Sequence, residues 1–496
     1  MLCVSVGRGR HRHMIAEMQH LASQGIDLVE LRLDYINGEI NLKRLLAEKP
    51  CPVVITARRE ADGGKWSGTE QQRQMVLRTA IAEGVDYVDL EDDVAGSIPR
   101  FGKTKRIVSY HDFRRTPEDL EAIWKRLSEL DPDVVKIATM AQTPHDNIRI
   151  LQMLAKPRKI PTVAMCMGDI GSPSRILSQR CNPPFVYATF HHERLLAPGQ
   201  LSYQQMNQIY HHPKITAETK VYGVIGDPIG HSLSPVIHNT ALQEAGLDAV
   251  YVPFRVPAEH LESFLNDVPA WNLQGLSVTI PHKEAVLKKI TKLDPAVKGI
   301  GAANTLLFKE GNILGYNTDY LAAVESLTNA MQPPNYDRGG LQGKTVLILG
   351  AGGAARAIAY ELKQRGAQVV LTSRTADKTK QVAEKFGCRS LEWEHRYAIT
   401  PDVLINCTPI GMHPNVDATP YERHHFRPFM VVFDTVYNPE NTLLLKDARS
   451  QGCVVVSGVE MFVRQACMQF KLFTGQETTP ELMQKTLKRA IGPAKM

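Results

Sequence analysis

A lysine inside an apolar run is the first residue of this sequence that could do covalent chemistry. Lys136 stands in DVVKIAT (133–139), flanked by Val134, Val135, Ile137 and Ala138. An ammonium in such a strand is costly to desolvate. Either a carboxylate pairs with it, for which Glu30 and Glu91 are candidates, or its pKa falls and it becomes a Schiff-base nucleophile; the second reading is preferred. His111, at the end of RIVSYH (106–111), is the matching proton carrier, because imidazole titrates near neutrality. Glu30, Arg32 and Arg58 end further runs of this kind.

A second amine, Lys283, follows an apolar run in SVTIPHKEAV (277–286) together with Thr279. Nearby stretches contribute Ser232 and Ser234 (GDPIGHSLSP, 226–235), Asn304 (GAANTL, 301–306) and Asp319 (GYNTDY, 315–320). Each cluster alone suits turns and helix caps. Together they bring hydroxyls, an amine and a carboxylate into one cleft, a set able to polarise a carbonyl.

The third constellation is KTVLILGAGGAARAIAYELKQRGAQVVLTSRT (344–375), in which Gly350, Gly352 and Ala355 fit G-x-G-x-x-A, with Ala351, Gly353 and Ala354 between them. An apolar strand before it and an amphipathic helix after it are the context that gives this pattern meaning: a bare backbone admits a pyrophosphate to a helix N-terminus. The next strand ends with Arg374 where an NAD site places an acid, and Ser373, Thr375 and Lys378 surround it. Those groups suit a 2′-phosphate, so the expected cofactor is NADP. Thr408, in LINCTPIGM (404–412), is expected near the nicotinamide ribose, and Gly458 and Met461 beside the cofactor.

The elements that position these residues follow from periodicity. Eight short β-like runs occur before residue 191, at 2–6, 27–34, 52–58, 86–91, 106–111, 133–139, 161–167 and 185–190. Amphipathic stretches alternate with them, such as 117–130 with Thr116 as its expected N-cap. Eight βα units in about 200 residues imply an α/β fold of the TIM-barrel type, with its chemistry at the C-terminal ends of the strands. A polar tether at 214–220 leads to a new strand, VYGVIG (221–226). The stretch 332–343, with two prolines and three glycines, reads as a linker. The expected domains are 1–212, 221–330 completed by 456–496, and a Rossmann domain at 340–455.

Specific motifs now carry a resemblance. ELRLDY (30–35), TARREADGG (56–64), SYHDFRRTP (109–117), VKIATMAQ (135–142), SR (174–175) and APGQ (197–200) together resemble type I 3-dehydroquinate dehydratase. This implies an imine on Lys136, proton transfer by His111, a substrate carboxylate held by Arg175 and Gln200, ring hydroxyls held by Glu30 and Arg58, and Met167 against the ring. Two positions depart from the family pattern. Asp62 stands where a glutamate usually orients the histidine, and Leu196 where a serine usually lies beside the carboxylate. The second half is similar to shikimate dehydrogenase. That implies a carboxylate held by Ser232 and Ser234 with Tyr437 and Gln465 nearby, ring hydroxyls held by Thr279, Asn304 and Gln465, and a Lys283–Asp319 dyad at the reacting carbonyl. Ser277 and Tyr320 vary from the commoner asparagine and glycine. Consecutive reactions, 3-dehydroquinate to 3-dehydroshikimate and then to shikimate, make the two motif sets coherent. A ligand sensor built on the first fold and a quinate-preferring oxidoreductase are the alternatives.

Bulk composition agrees with this reading. The 496 residues are 43% hydrophobic and 22% charged, and the net charge of +6 includes no long basic block, so small anionic ligands are expected and nucleic acid is not. Eight scattered cysteines without a CxxC pair argue against disulfides and zinc. The histidine pairs at 191–192, 211–212 and 424–425 lie outside any HExxH frame and are expected at the surface, with no metal. No run approaches the ~18 apolar residues of a membrane span. MLCVSVGRGRHRH has its charges after the apolar run, the reverse of a secretory signal. A cytoplasmic location is expected.

Overall fold

The computed structural model describes residues 1–332 and 340–491; most of the linker expected at 332–343 thus lies outside the described residues. The chain divides into two compact units: 1–221 with 248–272, and 222–247 with 273–496.

The first unit is built on eight parallel strands, β1 (Leu2–Val6), β2 (Leu28–Arg32), β3 (Val53–Thr56), β4 (Tyr87–Glu91), β5 (Lys105–Asp112), β6 (Val134–Met140), β7 (Thr162–Met167) and β8 (Val186–Thr189). Each coincides with one of the eight expected runs. Their order, β7-β6-β5-β4-β3-β2-β1-β8, is barrel order with its seam between β7 and β8; beyond the strand ends, Gly168 N–H donates to the Pro198 carbonyl across that seam. Cys3, Leu28, Val54, Ile107, Val134, Val163 and Phe185 pack together as the apolar core beneath the site. That layer needs side chains alternating in and out along every strand, and the register supplies them. The helix expected at 117–130 is shorter, Leu120–Ser128, and its cap is Asp119, which accepts from Ala122 N–H at 2.8 Å. Thr116 instead bonds Thr139 on β6 at 2.9 Å, because Pro117 separates it from the helix.

After β9 (Lys220–Gly226) and β10 (Ala249–Arg255) come β11 (Leu273–Val278), β12 (Lys292–Leu293), β13 (Thr305–Lys309) and β14 (Asn312–Tyr316). Within the second unit these pair as β11–β13 and β13–β14 antiparallel and β12–β14 parallel. A second sheet holds β15 (Thr345–Leu349), β16 (Gln368–Ser373), β17 (Arg389–Glu392), β18 (Val403–Asn406), β19 (Val431–Asp434) and β20 (Val454–Val456). All its pairings are parallel, in the order β17-β16-β15-β18-β19-β20. This is the doubly wound order, which opens a ligand crevice between the first and fourth strands. The helices Asp319–Ala330 and Gly353–Gln364 close one face over Val346, Ile348, Val369 and Ile405.

Candidate active sites

The inward positions at the C-terminal ends of the barrel strands form a charged cluster. Lys136 is 6% exposed, and its Nζ donates to Asp89 Oδ2 at 2.8 Å, lies 3.8 Å from Glu30 Oε1 and sits 4.1 Å over the Tyr187 ring. Arg58 reaches Asp89 at 2.7 Å and Glu91 at 2.7 Å, while Arg73 holds the other oxygen of Glu91 at 2.6 Å. Glu30 accepts from Ser5 and Thr56, and Arg32 is held bidentately by Asp34. Such a buried network persists only because nearly every charge has a partner. The two adjacent cations, Arg58 first, hold the Asp89 carboxyl far below the ordinary carboxylate range against the opposing effect of burial.

Two groups of this cavity each have a buried nitrogen without a hydrogen bond. His111 Nδ1 is buried without a hydrogen bond. Burial, then Arg58 and Lys136, hold its imidazole well below the usual pKa, and Asp89 opposes them. Arg175 is 2% exposed, and among the described residues no carboxylate pairs with it. It donates only to Met165 Sδ and the Pro198 carbonyl, its Nε is unpartnered, and burial lowers its pKa to about 10. A guanidinium in this state is a ready anion seat. Gln200 uses Oε1 to accept from the N–H groups of Leu196 and Ala197 at 2.9 and 3.0 Å, which leaves its NH2 end as the donor. Glu30, Arg58, His111, Lys136, Met167 and Arg175 line one cavity, with Leu196 as part of its apolar wall.

In the second unit Lys283 Nζ donates to Asp319 Oδ2 at 2.6 Å. Asn304 Nδ2 donates to the other carboxylate oxygen at 2.9 Å and to Thr318, while its Oδ1 accepts from Thr305 and Thr318 N–H. Asp319 is thereby fixed from one side by an amide and from the other by the amine. Tyr437 meets the serine loop through the Leu233 backbone and stacks on Phe462 at 4.1 Å. The Gln465 carbonyl accepts from Thr318 at 3.2 Å, and the Gln465 side chain turns to the Phe462 carbonyl of its own helix.

The glycine turn lies beside Lys283 in the same cleft. Gly350 has φ +119°, and a Cβ there would lie 3.0 Å from the Cys407 carbonyl; this is a conformation and a spacing that require glycine. A Cβ on Gly352 would meet nothing within 4 Å. The bare backbone therefore faces open space at the first turn of the helix Gly353–Gln364, where no side chain caps the free N–H groups. Arg374, Thr375 and Lys378 close the far end, and Thr408 stands after β18. An open anion cradle at one end and cations at the other fit a phosphorylated dinucleotide.

The type I 3-dehydroquinase family model matches residues 2–217. The shikimate dehydrogenase substrate-binding domain matches 224–306, the shikimate/quinate 5-dehydrogenase model 335–432, and the shikimate 5′-dehydrogenase C-terminal domain 458–488. The bifunctional 3-dehydroquinate dehydratase/shikimate dehydrogenase, chloroplastic, of Arabidopsis thaliana is 37% identical over 97% of this chain and 83% of its own length. The chain belongs to the family of bifunctional 3-dehydroquinate dehydratase/shikimate dehydrogenases. It is a two-activity enzyme, a lyase joined to an NADP-dependent oxidoreductase. The shikimate dehydrogenase (NADP(+)) of Pyrococcus furiosus is 42% identical over 55% of this chain and 96% of that protein. A shikimate dehydrogenase solved in complex with NADP+ is 35% identical with a TM-score of 0.52, covering 56% of this chain and 98% of that one.

Set against the residues expected in this family, the geometry brings most of them together and moves some. The main carboxylate partner of Lys136 is Asp89 rather than Glu91, which is taken by Arg58 and Arg73. Asp62 bonds Arg59 at 2.7 Å and leaves His111 Nδ1 without a partner; with one methylene less than glutamate, it settles on the nearer guanidinium. Met461 packs in the apolar core, and Gly458 lies against the Val436 carbonyl, where a Cβ would come within 2.3 Å. Asp89, Ser5 and Tyr187 were not singled out from the sequence. Asp89 was findable, because it precedes Glu91 by two residues and so shares its strand face. Trp393, which joins the cofactor cleft from the turn after β17, had no such signal. His424 and His425 lie on a surface turn, with ligand atoms that come within 4.8 Å of one another and of Glu422.

Proposed function

We propose that Lys136, His111 and Arg175 dehydrate 3-dehydroquinate and that Lys283 and Asp319 then serve the reduction of 3-dehydroshikimate to shikimate. Lys136 Nζ adds to the substrate ketone and water leaves, forming an iminium. His111, held neutral by burial and two neighbouring cations, takes the adjacent C–H proton. It returns that proton to the departing hydroxyl, which leaves as water, and hydrolysis of the imine frees Lys136. Arg175 holds the carboxylate with the Gln200 amide. The observation that carries this half is a fully buried guanidinium with no carboxylate of its own, in the same cavity as a buried lysine and an unpartnered imidazole.

In the second half, Ser232 and Ser234, which lie beside Tyr437, hold the carboxylate, and Thr279 holds a ring hydroxyl. Lys283 hands its proton to the carbonyl oxygen while Asp319 fixes the amine in place. Asn304 positions Asp319. NADPH supplies the hydride when bound; Gly350, Ala351, Gly352, Gly353 and Ala354 would hold its pyrophosphate, Arg374, Ser373, Thr375 and Lys378 its 2′-phosphate, and Thr408 its nicotinamide side. Three domains, 1–212, 221–330 with 456–496, and 340–455, fit these functions. All eight cysteines are unpaired, which supports a reducing compartment such as the cytoplasm; no helix among the described residues is long and apolar enough to cross a membrane.

Borohydride reduction in the presence of 3-dehydroquinate should leave a covalent adduct on Lys136. With 3-dehydroquinate and NADPH, the intact chain should consume NADPH. Lys136→Ala should do so only when 3-dehydroshikimate is supplied, and Lys283→Ala should fail with either substrate. A wild-type chain without the adduct would return the barrel to a ligand-sensing role.

A further inference from the structure

Of the two cations that follow β16, Arg374 is exposed and makes no ion pair among the described residues, and Lys378 lies in the first turn of the helix Ala376–Phe386. Lys378 is not free in the same way. Its Nζ donates to Glu284 Oε1 at 3.0 Å, and the second oxygen, Oε2, lies 3.1 Å from Arg356 Nη2 in the first turn of the helix Gly353–Gln364. Glu284 lines the cofactor cleft with Lys378, Arg374 and the glycine turn, and it directly follows Lys283. A carboxylate therefore stands at the place where a second anion is expected to bind.

We propose that Glu284 is a specificity-determining residue that competes with the adenosine 2′-phosphate for Lys378 and so lowers the preference for NADP over NAD. The inference rests on the reading that Arg374 and Lys378 receive that phosphate. A phosphate takes Arg374 outright but must share or displace Glu284 at Lys378, and two anions on one ammonium repel. An NAD-type ligand meets no such competition. Because the pair is only partly buried, with Lys378 41% and Glu284 37% exposed at the side chain, the effect is modest and sensitive to salt.

Binding to the full chain by calorimetry, with 2′,5′-ADP and 5′-ADP as probes, tests this without turnover. Glu284→Gln should tighten 2′,5′-ADP about fivefold at low salt and leave 5′-ADP unchanged, which also reports an intact site. The gain should shrink as salt rises and vanish in the Lys378→Ala background, since the two residues act on one interaction. Equal effects of Glu284→Gln on both probes, no effect on either, or weaker 2′,5′-ADP binding would overturn the proposal. Failure of the underlying reading looks different: Arg374→Ala and Lys378→Ala would then leave 2′,5′-ADP affinity unchanged in the wild-type background.

Discussion

Two amines with different surroundings carry the proposed chemistry at the residue scale. Lys136 is enclosed by Asp89, Glu30 and the face of Tyr187, whereas Lys283 sits at a cleft wall against a single carboxylate. The first environment suits condensation with a ketone among buried charged groups, and the second suits proton donation at a cleft wall. His111 supplies a pH test. Its pKa is depressed, so the neutral base persists below the ordinary histidine range, and dehydratase kcat should stay level as pH falls from 7 through 6.5. Arg58→Gln removes one of the cations responsible, so the acid limb should move up toward 6.5. A limb already at 6.5 in the wild type would contradict the burial argument. Asp62 gives a second test, since its carboxylate is spent on Arg59. Asp62→Asn should lower dehydratase kcat less than about tenfold, whereas His111→Gln, which removes the proton carrier, should cost about 10²–10⁴-fold.

At the scale of elements, two glycine turns carry the sites and respond differently to a methyl group. Gly64 lies against β3's exit, where a Cβ would fall 2.0 Å from the Arg58 carbonyl oxygen. Gly64→Ala must therefore displace Arg58, and dehydratase activity should be lost while shikimate dehydrogenase activity remains. Gly352 has open space around its missing Cβ and an ordinary φ of −84°. Gly352→Ala should leave Tm almost unchanged yet weaken NADPH binding by at least about tenfold, because the pyrophosphate must approach that backbone. A loss of Tm in Gly352→Ala would show that the turn serves packing instead. The strands themselves were legible in the sequence, since buried parallel strands are continuous apolar runs. The helix cap at Asp119 was not, because Thr116 is also a capping type and only the path of the chain after Pro117 decides between them.

At the scale of the whole molecule, each compact unit buries an imidazole that the unfolded chain would expose. His212 in the first, buried rather than at the surface as its sequence suggests, and His238 in the second are each 1% exposed, and burial lowers each pKa to about 3. A depressed pKa contributes stability above the unfolded value of 6.5 that is lost as pH falls, so each should cost about 2 kcal/mol between pH 7 and pH 5. Urea midpoints should fall over that interval, and His212→Asn or His238→Asn should flatten the dependence; an unchanged slope in both variants would assign the acid sensitivity elsewhere. Periodicity and motif spacing alone determined the eight parallel strands, the glycine turn and the preference for NADP, because these are local properties of strands, turns and charge type. Tertiary structure alone decided which carboxylate meets which cation: Asp89 with Lys136, Asp62 with Arg59, Glu284 with Lys378. Ion pairing is settled by distances of a few ångströms, for Lys136 and Lys378 between segments far apart in the chain and for Arg59 by the local turn, and residue types alone do not encode those distances.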